Sequence, residues 1–302
     1  MKKIKKWFDS KSLIFPNKMY WFIIPALLMF TVFWILPIFQ LFRYSLTNYN
    51  GITNNFRFVG LSNYKFLLRQ GTILNSSKNT LIYTIVLVLG NNILALGLAI
   101  LLNIKIKAKG LFRTIAYLPA LFSPIVVGFI WSYVYMPDSG LIASLLNAFG
   151  FGAINFNILG NYDWAIYGVA IVEIWKRFGT TMIIYLAGLQ TIDTSLIEAS
   201  RIDGCNEWQI VRFIKLPLIS ASITINIVLS VIYGLKAFHY IFVMTNGGPG
   251  TATNTLMYQI YNIAFSEQMM GKASALAVVA FLVIITITII MLIFMNKREV
   301  EL

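Results

Sequence analysis

Three charged side chains and one hydroxyl lie inside an apolar stretch of the sequence, residues 164–188. Glu173, Lys176, Arg177 and Thr180 follow the spacing i, i+3, i+4 and i+7, which places them on one face of a helix. Charges at the centre of a membrane-spanning helix are costly, and they mark substrate pathways or proton relays. The pattern therefore predicts either a solute pathway lined by these residues or a secondary transporter or channel in which Glu173 relays protons beside the two cations.

A second group of candidate pathway residues lies in a later apolar stretch. It comprises Ser230, Tyr233, Gly234 and Lys236. Small residues at helical spacing are equally typical of close packing between helices, so both interpretations stay open for this group. Asn91 and Asn92 are weaker candidates, for which hydrogen bonding between helices is at least as good an explanation.

The connection at residues 189–217 carries the clearest local signals. Ser195 and Glu198 have the spacing of a capping box, so a short helix is expected to start at Ser195. Gly204 is placed to end that helix, because glycine tolerates the left-handed conformation of a helix C-terminus.

A second short helix is expected directly after Gly204. Asn206 and Gln209 repeat the capping pattern, and Pro217 suits the first turn of the next spanning helix. Two short helices joined by a sharp turn would form a knob at the cytoplasmic surface. Such a knob is well shaped to fit a cleft in a partner.

The sequence lacks the common catalytic motifs. It has no Gly-x-x-x-x-Gly-Lys-Ser/Thr phosphate loop, no His-Glu-x-x-His and no Gly-x-Ser-x-Gly. Cys205 is the only cysteine and His239 the only histidine, which excludes a disulfide and a His-rich or Cys-rich metal site within the chain. The sequence predicts no enzyme and no cofactor bound by this chain, so energy for any transport must come from a partner.

Composition identifies the elements that must position these residues. The chain is 58% hydrophobic and only 12% charged, whereas a soluble domain is about 25% charged. An all-α membrane protein in a lipid bilayer is therefore expected, and the net charge of +13 is assigned to basic flanks and anionic lipid rather than to nucleic acid. Six stretches are long enough to span a bilayer, at residues 20–42, 80–102, 114–135, 164–188, 219–243 and 273–295.

The distribution of Lys and Arg predicts the orientation. Fifteen of them lie in the two tails and in the second and fourth connections, against six in the other connections. The positive-inside rule then places both termini in the cytoplasm, with residues 136–163 and 244–272 outside. The connection 43–79 is unusual for an outer one, because it holds five basic residues and no acidic residue.

The connection 189–217 also carries a family resemblance. Glu198-Ala199-Ser200, Asp203-Gly204 and Ile214-x-Leu216-Pro217 resemble the EAA loop of ABC importer permeases, with Ser200 where the family has a second alanine. Further matches resemble the carbohydrate branch, the relatives of the maltose-transporter permease. They are Trp175-Lys176, Ala187-Gly188-Leu189-Gln190, Thr245-Asn246-Gly247-Gly248-Pro249, Phe58-Val59-Gly60-Leu61 with Asn63-Tyr64, and Gly271-Lys272-Ala273.

The resemblance implies a type I importer permease fold in the cytoplasmic membrane of a bacterium. It implies a second, homologous permease, a dimer of ATPase subunits that bind ATP and Mg, and an external sugar-binding protein as partners. The loop would dock into an ATPase cleft, where Glu198 would meet a basic residue or backbone donors and Gly204 would preserve the turn. The expected divisions are a basic tail at 1–19, a first helix with its outer loop at 20–74, a permease domain at 75–295 and a tail at 296–302.

The charges in the spans suggest a class of cargo. Lys176, Arg177 and Lys236 face a single acid, Glu173, so two cations lack a carboxylate within the spans. An idle cation at the bilayer centre costs about 2.5–3.5 kcal/mol on insertion scales. The sequence therefore predicts an oligosaccharide that carries a uronate or a similar acidic group, with Arg177 near the acid. The alternative is a neutral sugar, with Lys236 extended towards the membrane surface and Lys176 part of the Trp-Lys pair that the resemblance includes.

Overall fold

The computed structural model describes residues 21–53, 55–104, 107–151 and 157–296. The predicted basic tail at 1–19 and residues 297–302 of the predicted C-terminal tail lie outside these ranges. The helices are α1 Ile24–Ser45, α2 Ser62–Arg69, α3 Gly71–Asn103, α4 Lys109–Leu121, α5 Pro124–Val134, α6 Leu141–Ala148, α7 Ala165–Gln190, α8 Thr194–Ile202, α9 Glu207–Leu218, α10 Ser220–Leu235, α11 Leu256–Tyr261 and α12 Met270–Asn296.

The prediction of an all-α membrane protein is confirmed, and five of the six predicted spans pass a test of length and apolar composition if each bent pair counts as one span. Helices α1, α3 and α12 are long and apolar enough to cross a membrane, and α4–α5 and α9–α10 pass the same test as bent pairs. Helix α7, with 26 residues, carries the three central charges. Within the ranges described, the only β feature is a single antiparallel bridge between Thr47 and Phe58.

The predicted span at 114–135 is not one continuous helix. It is two helices, α4 and α5, that meet at 99°. Phe122 and Ser123 have ψ values of 148° and 138°, outside the helical region. Pro124 explains the break, because a proline has no N–H to donate and forces the preceding residue into an extended conformation.

The fifth predicted stretch, 219–243, also differs from the structure. Pro217 lies in the last turn of α9 and not in the first turn of α10, and the two helices bend by 74° around Ile219. Helix α10 ends at Leu235, and a separate π-helical turn follows at Ile241–Thr245.

The core is built around α3 and α7. Their N-terminal halves pack with Tyr240 and Ile241, and their C-terminal halves pack with α4 and with Ile219. Gly179 lets α7 approach α4, since a Cβ at this position would lie 2.8 Å from the Tyr117 Cα atom. Helix α1, by contrast, has no buried residue in its most apolar window, as expected for a helix whose surroundings are lipid or another subunit.

Candidate functional site

A cavity of about 310 Å³ lies between α3, the end of α4, α7 and α10. Its lining residues are Asn91, Ala120, Lys176, Arg177, Thr180, Thr181, Ile184, Asn226, Leu229, Ser230 and Tyr233. Five of the eight pathway residues predicted from the sequence are among them. The cavity lies about halfway along α7.

Arg177 forms the charged wall of the cavity. Its Nε donates to Glu173 Oε1 one helical turn away, and its guanidinium carbon lies 3.4 Å from the centre of the Tyr233 ring. The Tyr83 hydroxyl lies 3.5 Å from the other oxygen of Glu173. The Glu173 side chain is 11% exposed and that of Arg177 28%, so the carboxylate is the buried partner and the guanidinium faces the cavity.

Lys176 has a structural partner at the break between α4 and α5. Its Nζ donates to the Ala120 carbonyl oxygen at 3.1 Å. In a continuous helix this carbonyl would accept from the N–H of residue 124, which is a proline here. Lys176 therefore satisfies a carbonyl that the broken helix leaves open, and it ties α7 to the bend.

A hydrogen-bond network crosses the cavity floor from α3 to α7 and α10. Asn91 Nδ2 donates to Thr181 Oγ1 at 2.9 Å and to Ser230 Oγ at 3.1 Å. The Ser230 hydroxyl donates to the Asn226 carbonyl oxygen, and Asn226 Nδ2 donates to the Thr181 carbonyl oxygen. Asn91 and Asn226 are each only 1% exposed, so these contacts hold three helices in one register.

Two amide oxygens of this network have no partner. They are Asn91 Oδ1 and Asn226 Oδ1, both buried. The hydrogen-bond partners fix which side of each amide carries the oxygen. The Thr181 carbonyl can only accept, so it faces the NH₂ group of Asn226. The Ser230 hydroxyl donates its hydrogen to the Asn226 carbonyl oxygen and can only accept from Asn91, so it faces the NH₂ group of Asn91. A buried acceptor without a donor is costly, and here both residues line a cavity that could hold a donor.

The structure separates the remaining predicted pathway residues from the cavity. Glu173 lies behind Arg177. Lys236 is exposed at the C-terminus of α10. Gly234 is a packing position, since a Cβ there would lie 2.7 Å from the Thr84 Cα atom. Asn226 was missed by the sequence analysis, although a single amide in an apolar stretch is the same kind of signal as Asn91.

The second candidate site is the knob formed by α8 and α9. Helix α8 starts at Thr194 and not at Ser195, because Asp193 is its N-cap and accepts from the Ser195 N–H at 2.9 Å. This hydrogen bond lowers the pKa of the exposed Asp193 carboxyl. Gly204 has φ +86°, and the capping box of Asn206 and Gln209 is present.

An ion pair connects the two helices of the knob across their turn, and large apolar side chains cover its surface. Arg201 on α8 pairs with Glu207 on α9 at 2.8 Å. Exposed large side chains cover the outside, with Ile202 87%, Trp208 66% and Phe213 68% exposed. Glu198, Ala199, Asp203 and Pro217 are exposed, Ile214 and Leu216 are half-buried, and Ser200 is buried with its hydroxyl donating to the Ile197 carbonyl oxygen.

The sequence is similar to a known protein family and to known permease proteins. Residues 71–299 match the family model of the binding-protein-dependent transport system inner membrane component. The multiple sugar-binding transport system permease protein MsmF of Streptococcus mutans is 34% identical over 284 residues, which cover 93% of this chain and 97% of that protein. The probable starch degradation products transport system permease protein AmyD of Thermoanaerobacterium thermosulfurigenes is 34% identical, over 97% of this chain and 99% of that protein.

The fold also matches solved structures. A chain of a bacterial ABC transporter involved in the import of the acidic polysaccharide alginate superposes with a TM-score of 0.83 at 22% identity, over 97% of this chain and 99% of that chain. The residues matched by the family model include both the cavity and the knob. The chain therefore belongs to the family of binding-protein-dependent transport system inner membrane components.

Proposed function

We propose that this protein is the permease half of an ATP-driven importer that moves sugars across the cytoplasmic membrane. The observation that carries the proposal is the polar cavity halfway along α7, where two buried amide oxygens lack donors. Sugar hydroxyls are such donors. The names of the similar proteins MsmF and AmyD support sugars as the cargo class.

The proposal includes partners that complete the transporter. Tyr233 and Leu229 line the cavity and are 42% and 37% exposed, which is consistent with a cavity wall that a second permease covers. A solved relative is described as an alginate ABC transporter in complex with a periplasmic protein bound to an alginate pentasaccharide, which supports an external binding protein. ATP and Mg would be bound by two separate ATPase subunits.

The knob is the proposed contact with those ATPase subunits. Its exposed apolar side chains suit a protein cleft, because exposed apolar patches mark interaction surfaces. In this proposal Glu198 pairs with a donor of the ATPase and Ala199 and Ser200 keep the contact face of α8 small. Asp203 and Gly204 shape the turn, and Ile214, Leu216 and Pro217 carry the movement into α10.

The proposed orientation has both termini in the cytoplasm. A reporter fused after Lys109 or after Asp203 should then report a cytoplasmic position, and one fused near Asn157 an external position. An exchange of these outcomes would overturn the orientation.

An acidic group on the sugar is the finer part of the proposal. Arg177 has five N–H groups, of which the contact with Glu173 uses one, so donors are available for a carboxylate in the cavity. Lys176 is bound to the Ala120 carbonyl, and Lys236 is exposed away from the cavity. Arg177 is therefore the one of these three cations that would bind the acidic group. The proton-relay alternative is weaker, because Glu173 is already paired with Arg177.

Uptake into proteoliposomes tests the proposal. The assembled transporter should import an acidic oligosaccharide faster than its neutral counterpart, in a manner that depends on ATP hydrolysis. Arg177→Ala should abolish that preference, and Lys236→Ala, which removes a cation outside the cavity, should retain it. Equal uptake of both sugars by all three proteins would reject the acidic cargo, and uptake without ATP hydrolysis would reject the importer.

A further inference from the structure

A second, larger pocket lies at the opposite end of α3 and α7 from the knob. Its volume is about 590 Å³, within the range of pockets that bind small molecules. The N-terminal turns of α3, the residues that precede α7 and Ala252 form its walls. In the proposed orientation it opens to the outside.

Aromatic side chains supply one wall of this pocket. Trp164 and Tyr162 are 60% and 55% exposed. Tyr167 lies beside them, with 5.7 Å between the centres of its ring and the Trp164 ring. The three residues provide broad apolar ring faces with polar tips, all lining one pocket.

Polar groups on the facing helix supply free acceptors. Asn79 Nδ2 donates to the carbonyl oxygens of Thr251 and Asn254, and Asn75 Nδ2 donates to Thr251. A carbonyl oxygen can only accept, so the side-chain NH₂ groups of Asn75 and Asn79 must face Thr251. Within the described ranges, no side chain or backbone group donates to the Oδ1 atom of either residue.

Two opposite charges line the same pocket without pairing. Asp163 and Lys78 have no salt bridge with each other, nor with any other residue of the ranges described. Both are exposed, so each is hydrated and available to a ligand. The pocket thus offers a carboxylate, an ammonium and two amide oxygens opposite the aromatic wall.

The pocket is separate from the central cavity. Asn79 and Asn91 are twelve positions apart on α3, which corresponds to about 18 Å along the helix axis. Ile82, which lines the pocket, and Asn91, which lines the cavity, are nine positions apart and so lie on opposite faces of α3, about 180° around it. A ligand in one site does not touch the other.

We infer that this pocket is a carbohydrate-binding subsite on the outer face of the protein. A pyranose ring presents a face of C–H groups, which packs against aromatic rings, and a rim of hydroxyls, which donate to carboxylate and amide oxygens. The pocket provides both, and its volume accommodates more than one sugar ring. The inference rests on the proposed function, because it takes the same class of ligand to a second site.

Saturation-transfer difference NMR on the assembled transporter in nanodiscs, without binding protein, tests the inference. The probes are maltotriose and trigalacturonate. We expect a transfer signal from ring protons of at least one probe. Trp164→Ala should weaken the affinity at least tenfold, and Asp163→Asn, which preserves shape, should weaken it severalfold. Phe149→Ala removes an exposed aromatic ring that lines neither the pocket nor the central cavity, and it should leave the signal unchanged.

Two results would overturn the inference. One is the absence of a transfer signal from both probes. The other is a transfer signal whose dependence on sugar concentration is the same in Trp164→Ala as in the wild type, because a signal from the central cavity alone would not change. Uptake of the same sugars by the complete transporter is measured separately. Normal uptake without a Trp164-dependent signal rejects the subsite alone, whereas the loss of both rejects the proposed function as well.

Discussion

The knob and the central cavity are held together in different ways. The knob depends on contacts between near neighbours: Asn206 and Gln209 are three positions apart, and Arg201 and Glu207 are six. The cavity depends on distant ones, since Asn91 bonds to Thr181 and Ser230, 90 and 139 positions away. Arg201 and Glu207 of the knob are exposed to water, whereas Asn91 and Asn226 of the cavity are buried.

In the proposed function, this difference corresponds to two tasks: the knob transmits movement from the ATPase subunits, and the cavity recognises the solute. A part that transmits movement needs a fixed internal shape, and local caps with one left-handed glycine provide it independently of the helix bundle. A part that recognises a solute midway through the membrane needs polar groups on several helices. It changes shape when those helices move.

The largest effect is expected from breaking the buried ion pair of the cavity. Glu173→Ala leaves Arg177 without its carboxylate, and such changes cost about 3–5 kcal/mol. The double variant Glu173→Ala/Arg177→Met should recover most of this loss, because no uncompensated charge remains. Chemical denaturation of the transporter in detergent measures both. Equal losses in the two variants would contradict the account of this pair.

Transport should respond next most strongly to Gly204. A Cβ at this position meets no atom within 4 Å, so the cost of Gly204→Val comes from φ +86° alone. A left-handed conformation costs about 1–2 kcal/mol for a residue with a Cβ, and we expect about a tenfold fall in coupled transport at normal membrane levels. Gly204→Asn is the matched control, because asparagine tolerates this conformation. Full transport by Gly204→Val would contradict the role of the turn.

A moderate effect on stability is expected at Lys176. Lys176→Met leaves the Ala120 carbonyl without a donor at the break between α4 and α5, at a cost of about 1–2 kcal/mol. Lys236→Met removes an exposed lysine and should change the free energy of unfolding by about 0.5 kcal/mol or less. The same denaturation measurement compares the two, and equal values would show that Lys176 does not brace the bend.

The smallest effect is expected at the N-cap of α8. The hydrogen bonds from Ser195 lower the pKa of Asp193, so the cap is at full strength above its ordinary pKa of 3.8 and weakens only as the pH falls through the lower folded value. Asp193→Asn retains a capping side chain, and transport between pH 6 and pH 8 should stay within about twofold of wild type. A strong pH dependence that Asp193→Asn abolishes would contradict this.

Local signals in the sequence predicted the knob well. The second capping box and the left-handed Gly204 were correct, and the start of α8 was displaced only because Asp193 is the cap in place of Ser195. The EAA resemblance added the family, which the comparisons confirm. Helix capping and the left-handed glycine depend only on residues a few positions apart, so the sequence is sufficient to predict them.

The cavity was predicted only in part, for a physical reason. The charges on α7 identified one wall, but the partner of Lys176 is a carbonyl 56 positions away that is open only because residue 124 is a proline. Likewise, Gly234 and Ser230 share a helix stripe, yet one packs against Thr84 and the other lines the cavity. Composition identifies a polar or small residue, and only tertiary packing decides what it faces.

The central claim, that the knob transmits while the cavity recognises, is tested most directly by measuring ATP hydrolysis and sugar uptake together in proteoliposomes with the ATPase subunits and binding protein. Gly204→Val should lower both the stimulation of ATP hydrolysis by the binding protein and the uptake of every sugar by about tenfold. The double variant Glu173→Ala/Arg177→Met, which leaves neither charge unpaired, should retain that stimulation and change only which sugars enter. Stimulated hydrolysis with normal uptake in Gly204→Val, or loss of stimulation in the double variant with unchanged sugar preference, would contradict the account.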